Sequence, residues 1–357
     1  MGVQEGDKIQ LDGNLRDVVE GIAFSEGFSE YSLEVRRASG KGDNYLGVLL
    51  RVIITGRRGG HEEASMSLIL KCMPENEETR AAMQVDDFFD NEVFMYSEVL
   101  VAFGRLLEDK GLPEEERLGS FAKLLGCNRS QGDTTIVLED MSARGYRMGD
   151  RLAGLDAAHC SLVMKTLGQF HACSFALRDQ RPELFRSLGS QLKETLFRSA
   201  NPESDKAATN FQNSIDHVES ILLKMFPSEF EYVIRFREFG PHYEDRMLDV
   251  VSGEAAEPYA VICHGDCWTN NILFKYSEDG DAPVAACLLD LQIARYSSPF
   301  TDIAYFLYCC TEGDVRREAY KSLLSDYYNS LSQFLQKLGS DPDKMFPYSA
   351  FKVSVTE

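Results

Sequence analysis

The chain has 357 residues, more than one hydrophobic core usually serves, so two lobes or domains are expected. Hydrophobic residues make up 44% and charged residues 26%, which excludes a disordered or fibrous chain. A net charge of −20 argues against nucleic acid or an anionic membrane surface as the main partner, because both reward Lys and Arg; a small anionic ligand stays open, since a pocket can be locally positive.

The first residues, Met1 to Lys8, hold no apolar core for a signal peptide, and no Ser or Thr stands at position 6 for myristoylation. No apolar run is long enough to span a bilayer, so a cytoplasmic location is expected. The nine Cys include no Cys-x-x-Cys pair, and neither Cys263/Cys267 nor Cys309-Cys310 has zinc-ligand spacing; they read as buried, reduced thiols.

An amphipathic helix is expected over 14–24, followed by strands over 32–37 and 47–55. The turn between them, Gly40-Lys41-Gly42-Asp43-Asn44-Tyr45, is glycine-rich. A third strand over 65–71 ends in Lys71. Residues 86–103 repeat Phe88, Phe89, Val93, Tyr96, Leu100 and Val101 close to a helical period. Strands over 121–126 and 134–138 lead to Glu139-Asp140. A long helix over 156–177 contains His159 and His171, and another over 204–226 gathers Ile215, Val218, Ile221, Leu222 and Met225 on one face. Residues 227–257 read as helix and then acidic loop, 259–290 as strand, loop and strand, 301–310 as a buried helix, and 315–338 as a last helix. Strands concentrate before residue 140 and helices after it. The expected class is therefore α+β in two lobes, an N-lobe over 1–139 and a C-lobe over 140–357.

The most telling run is Val261 to Phe274. An apolar strand leads into His264-Gly265-Asp266, and Asn271 follows the Asp by five positions. A second strand, Ala285 to Leu289, delivers Asp290. Acid, amide and acid on adjoining strand ends is the order that phosphoryl transfer from a nucleotide requires: one carboxylate meets the attacking hydroxyl, and the amide and the other acid hold Mg²⁺. Each residue alone has an ordinary reading as packing, cap or turn; together they point to a phosphotransfer site. Lys71 ends an apolar strand, where burial requires an anionic partner, and Glu92 on the following helix is placed to supply it. Gly40, Gly42 and Asn44 suit a loop whose backbone covers phosphate. The absence of Gly-x-x-x-x-Gly-Lys-Ser/Thr disfavours a P-loop enzyme, and the absence of Gly-x-Ser-x-Gly disfavours a hydrolase.

These residues resemble the protein-kinase-like superfamily in its small-molecule branch, which includes aminoglycoside and choline kinases. His264-Gly265-Asp266 with Trp268 and Asn271, then Leu288-Leu289-Asp290-Leu291-Gln292, look most like the insect ecdysteroid kinase-like (CHK kinase-like) family. Gly40 to Tyr45, Phe89 to Tyr96, Val137 to Met141 and Pro299 to Tyr305 are similar to it too, so the resemblance runs from about residue 20 to residue 340. It implies a two-lobed kinase-like fold, with ATP and Mg²⁺ as cofactors. It implies that Asp266 orients a substrate hydroxyl and accepts its proton, that Asn271 and Asp290 ligate Mg²⁺, and that Lys71, paired with Glu92, contacts the phosphates. The backbone of Leu138, Glu139 and Met141 is implied to bind adenine, and Asp302, with His264, to brace the catalytic loop. The metal-binding acid stands in Asp-Leu-Gln, and no Ala-Pro-Glu follows, which argues against protein substrates.

The implied acceptor is a small-molecule alcohol, an ecdysteroid or other sterol or a xenobiotic alcohol, met by a pocket from 140–255; no obligate protein partner is readable. Two alternatives stand beside this. A choline- or ethanolamine-type kinase would want an aromatic and acidic box, which 15 Tyr, 22 Phe and the single Trp268 do not locate. A non-catalytic nucleotide-binding protein could use the same fold. Relatives of this kind usually continue with further helical residues, so an apolar face left uncovered near Phe351 to Glu357 is expected.

Overall fold

The computed structural model of the chain describes residues 9–38, 47–60, 62–74, 76–113, 120–129, 133–150, 153–197, 206–228, 230–278, 280 and 282–356. Gly40, Gly42 and Asn44 lie outside the described residues. Helix α1 (Gly13–Ser25), capped by the Asp12 carboxylate on the Leu15 N–H, comes first. Strands β1 (Phe28–Arg37), β2 (Val48–Arg58) and β3 (Glu62–Cys72) follow. With β4 (Leu124–Asn128) and β5 (Thr135–Glu139) they form one antiparallel sheet in the order β1-β2-β3-β5-β4.

The period of two along these strands sorts their side chains. Leu50, Val52, Ile54, Leu68 and Leu70 are buried against Leu15, Val19, Ile22 and Ala23 of α1. Leu49, Arg51, Ile69 and Lys71 alternate with them and line a cavity on the opposite face. The sheet thus buries one side under a helix and offers the other to a ligand.

Helix α2 (Glu77–Met83) leads into α3 (Val85–Phe94), which continues through a π turn, Met95–Val99, into α4 (Leu100–Asp109). The π turn inserts a residue into the helical repeat. Its consequence corrects the expected apolar face: Phe88, Phe89, Val93 and Tyr96 are buried, but Val101 is 40% exposed and Ala102 and Phe103 turn inward instead.

The rest of the chain is mainly helical and joins α3 and α4 in one large core. Its centre is α5 (Ala157–Gln180) packed along α11 (Gly313–Lys337). At Gly168 a Cβ would meet the Tyr327 carbonyl oxygen at 2.6 Å, so the two backbones approach as only Gly allows. Around this pair lie α6 (Pro182–Gln191), α7 (Lys206–Met225), α8 (Glu231–Phe239), α9 (Tyr243–Val251), α10 (Pro299–Cys310), α12 (Pro342–Met345) and α13 (Tyr348–Thr356). The architecture is α+β and two-lobed, a small antiparallel-sheet lobe and a mainly helical one, as in kinases.

Several expectations need correction. The mainly helical lobe carries two small sheets: β7 (Val261–Cys263) pairs with β10 (Arg295–Ser297), and β8 (Ile272–Tyr276) lies between β6 (Tyr146–Met148) and β9 (Pro283–Leu288). Of the apolar face expected on α7, Val218, Ile221 and Met225 are exposed and only Ile215 and Leu222 are half-buried. Residues expected as an acidic loop before Tyr259 include a second helix, α9. All nine Cys are free, but Cys309 is exposed and Cys72 and Cys127 are half-buried. The apolar face expected near Phe351 to Glu357 falls mostly on positions 353–357, whose side chains lie outside those described; Phe351 itself is buried against Phe300, Tyr327, Tyr328, Phe346 and Tyr348. Among the described residues, no helix is long and apolar enough to cross a membrane.

Candidate active site

The cavity between the lobes has a volume of about 620 Å³ and is lined by Lys71, Glu92, Leu138, Glu139, Met141, Asn271 and Asp290, among others. Lys71 projects from the second-last position of β3 and is 4% exposed. Its ammonium donates to Glu92 Oε2 at 2.5 Å, Asp290 Oδ1 at 2.8 Å and Gln292 Oε1 at 3.3 Å. Three donors thus meet three acceptors. Burial alone would lower the Lys71 pKa, but the charges of Asp290 and Glu92 outweigh it and hold the ammonium protonated. Burial raises Glu92 above the usual carboxylate range, against the pull of Lys71. In the sequence Gln292 reads only as the end of Asp-Leu-Gln; its contact with Lys71 was not foreseen.

Asn91, beside Glu92 on α3, was also missed. Its side-chain amide donates to the Gln292 carbonyl at 3.1 Å and to the Ala294 carbonyl at 2.7 Å. It therefore fastens α3 to the segment beyond Asp290. Its only sequence signal is an amide next to a buried acid on an apolar helix.

The second half of the site grows from β7, whose three residues are fully buried and deliver His264-Gly265-Asp266. Ser174 of α5 accepts the Ile262 N–H at 3.1 Å and fixes that strand from below. The Asp266 N–H donates to His264 Nδ1 at 3.2 Å, which places the ring proton on Nε2, 2.9 Å from the Leu289 carbonyl. His264 therefore ties the loop that carries Asp266 to the end of β9. Gly265 has φ +86°, and a Cβ there would stand 1.9 Å from the Ile293 carbonyl oxygen. Gly265→Ala is therefore expected to push the two loops apart and lower the melting temperature by more than about 5 °C. An unchanged melt would show that the loops relax freely.

Asn271 ends a short 3₁₀ turn, Thr269–Asn271, just before β8. Its carbonyl accepts the Leu289 N–H at 2.8 Å, so antiparallel pairing of β8 with β9 brings Asn271 beside Asp290. Its side-chain amide donates to Asp266 Oδ2 at 2.9 Å and to the Asp266 carbonyl at 3.0 Å. With both amide hydrogens used, its free polar atom is an oxygen. Asp290, at φ +65°, keeps a second carboxylate oxygen beyond the one held by Lys71. Two hard oxygen donors suit Mg²⁺ and not zinc. The charged lining supports the same fit. Glu92, Glu139, Asp140, Asp150 and Asp290 outnumber Arg51, Lys71 and Arg147, so the pocket is not locally positive and a polyphosphate there needs a cation.

Asp266 Oδ1 accepts the Tyr305 hydroxyl at 2.9 Å. Burial and then the charge of Asp290 raise the Asp266 pKa, while Tyr305, His264 and Asn271 pull it down. Asp302, in the first turn of α10, accepts the N–H groups of His264 at 2.7 Å and Gly265 at 2.8 Å, and His171 Nε2 at 3.1 Å. His171 Nδ1 lies 2.8 Å from the Tyr327 hydroxyl, which carries the network into α11. Burial opposes the charge on Asp302, but these bonds hold its carboxyl below the usual range. Cys263 lies close to His171 and Asp302, and burial and the Asp302 charge push its thiol well up, so it stays protonated there.

At the junction of the lobes, Asp140 caps the 3₁₀ turn Met141–Arg144 through the Ser142 N–H at 3.0 Å. The same carboxylate accepts Arg51 Nε and Ser67 Oγ, each at 2.7 Å, from β2 and β3. It thereby fixes the backbone of Leu138 to Met141 against the sheet. The structure thus brings Lys71, Glu92, Asp266, Asn271 and Asp290 to one place, with His264 and Asp302 behind them and Leu138, Glu139 and Met141 along one wall.

A search against family models matches residues 41–340 of the chain to the ecdysteroid kinase-like family. No curated protein matches the chain.

Proposed function

The chain belongs to the ecdysteroid kinase-like family, and from that premise we propose that it is an ATP-dependent phosphotransferase acting on a hydroxyl of a small molecule. The observation that carries the reading is that Lys71, Glu92, Asn271 and Asp290 line one cavity, with Lys71 bonded to Glu92 and Asp290 and Asn271 bonded to Asp266. The acceptor O–H gives its proton to Asp266 as its oxygen bonds to the γ-phosphorus. The bond from that phosphorus to the β-bridging oxygen breaks, and ADP keeps the electron pair. Asn271 holds the Asp266 carboxylate in place for this. Lys71, freed from Asp290, neutralises phosphate oxygens while Glu92 keeps hold of it. Asn271 Oδ1 and Asp290 would hold Mg²⁺, which offsets the negative charge of the phosphates. The backbone from Leu138 to Met141 would meet adenine. The protein supplies position and charge, and little covalent chemistry is asked of it.

The acceptor is an ecdysteroid or other sterol, or a xenobiotic alcohol. A phosphate carrying nearly two charges would make such a molecule soluble and inactive. The test is a transfer screen with Mg·ATP over sterols, amino-alcohols and plant glycosides, with Lys71→Met alongside. The expected result is phosphorylation of one acceptor class and a fall of about 10²-fold or more in kcat/KM with Lys71→Met. Failure of the wild type to bind Mg·ATP would sink the reading. Binding without transfer to any alcohol would favour a nucleotide-binding protein on a kinase fold.

A further inference from the structure

Helix α10 presents Asp302, Tyr305 and Tyr308 at intervals of three residues, one face that runs outward from the core. Asp302 is buried, Tyr305 is 38% exposed and Tyr308 is 68% exposed. The first grips the catalytic loop by its backbone. One turn on, Tyr305 takes one oxygen of Asp266 and leaves the other to Asn271. A tyrosine that served packing alone would bury its ring; this one gives its hydroxyl to Asp266 and keeps part of its side chain at the surface.

We propose that Tyr305 is the acceptor-side positioning residue of this site, and that its ring and that of Tyr308 form the surface on which a neutral alcohol lies. The inference rests on the phosphotransferase reading. A carboxylate oxygen has two lone pairs, so Asp266 Oδ1 accepts Tyr305 and an acceptor O–H together. The tyrosine bond fixes rotation of the carboxylate and so the direction from which the alcohol approaches. Burial and the nearby Asp266 charge keep the phenol protonated, hence a donor.

The charge of the acceptor follows from Arg316. An aromatic pair beside a carboxylate would ordinarily capture a quaternary ammonium. Here the Arg316 guanidinium already lies 5.2 Å from the Tyr308 ring centroid. It is anchored there by donating to the Thr311 carbonyl and to Thr311 Oγ1. A second cation on this surface meets like charge, whereas an uncharged apolar body does not.

Choline and 3,3-dimethylbutan-1-ol differ only in nitrogen against carbon, so their comparison isolates charge. Wild type, Tyr305→Phe, Tyr305→Ala and Arg316→Gln would be assayed with both, and the alcohols also titrated by fluorescence of Trp268, the chain's single Trp. The neutral alcohol should exceed choline in kcat/KM by more than about tenfold, and Arg316→Gln should narrow that gap. Tyr305→Phe should lower kcat by about tenfold. It should leave KM for the neutral alcohol unchanged, a split between kcat and KM that a merely structural role would not give. Tyr305→Ala should in addition raise KM for the neutral alcohol. Unchanged kcat in Tyr305→Phe, or a preference for choline, would overturn the proposal. If the wild type binds Mg·ATP but phosphorylates neither alcohol, the titration decides separately. Trp268 quenching by the neutral alcohol that is lost in Tyr305→Ala supports the acceptor face, and equal quenching in both overturns it.

Discussion

Asp266→Asn is expected to lower kcat for phosphoryl transfer by about 10²- to 10⁴-fold, the range for losing a general base, while Mg·ATP still binds. The substitution keeps the shape of the side chain. Tyr305 can turn its hydroxyl to accept where it now donates, and Asn271 keeps an oxygen partner. The wild-type acid limb should lie above the ordinary carboxylate pKa of about 3.9, because burial and Asp290 raise the Asp266 pKa and the base works only when ionised. The same shift carries a sign for stability. An acid whose folded pKa is raised loses stability as pH climbs through the window above its unfolded value. At neutral pH the fold therefore bears the strain of an ionised Asp266 beside Asp290, and an uncharged amide in its place would relieve it. The variant should melt no lower than the wild type, and slightly higher near pH 7. Full activity in rapid-quench assays would remove Asp266 from the role of base.

Asp302→Ala should cost at least about 3 kcal/mol, because it leaves three donors without their acceptor: the buried His264 N–H and His171 Nε2, and the half-buried Gly265 N–H. Activity should fall with stability, since His264 and Gly265 set the backbone on which Asp266 stands. The pH dependence has the opposite sign to that of Asp266. The folded pKa of Asp302 is lowered, so its stabilisation is complete above about pH 4 and is lost as pH falls through the lowered value. Urea titrations at pH 7 and pH 3 would read this as a wild-type advantage over Asp302→Ala that shrinks with acid. An advantage of equal size at both pH values would show that Asp302 acts as packing rather than as a charge.

The parts of the site legible in the sequence are those whose chemistry is written locally. His264-Gly265-Asp266, Asn271 and Asp290 stand on strands marked by apolar runs, and antiparallel pairing of β8 with β9 brings the ends of those runs together. Lys71 was legible because a cation at the end of an apolar strand requires an anion. The residues missed are those whose meaning depends on long-range contact. Asn91 binds carbonyls about 200 positions away, and Tyr305 and His171 look like ordinary members of apolar helices until α10 and α5 cross. Strands β6 and β10 have three residues each, too few to show a period. The α7 face misled for a related reason: helical periodicity reports that one side is apolar, not that anything covers it.

The two bonds from Asn91 to the Gln292 and Ala294 carbonyls bear on how such an enzyme is governed. In kinases that are switched, the helix bearing the glutamate swings away and the lysine loses its partner. Here that swing would strip both buried carbonyls of their donor, at about 1–3 kcal/mol each. Together with the Lys71–Glu92 bond, the two Asn91 bonds hold α3 against such a swing before any substrate arrives.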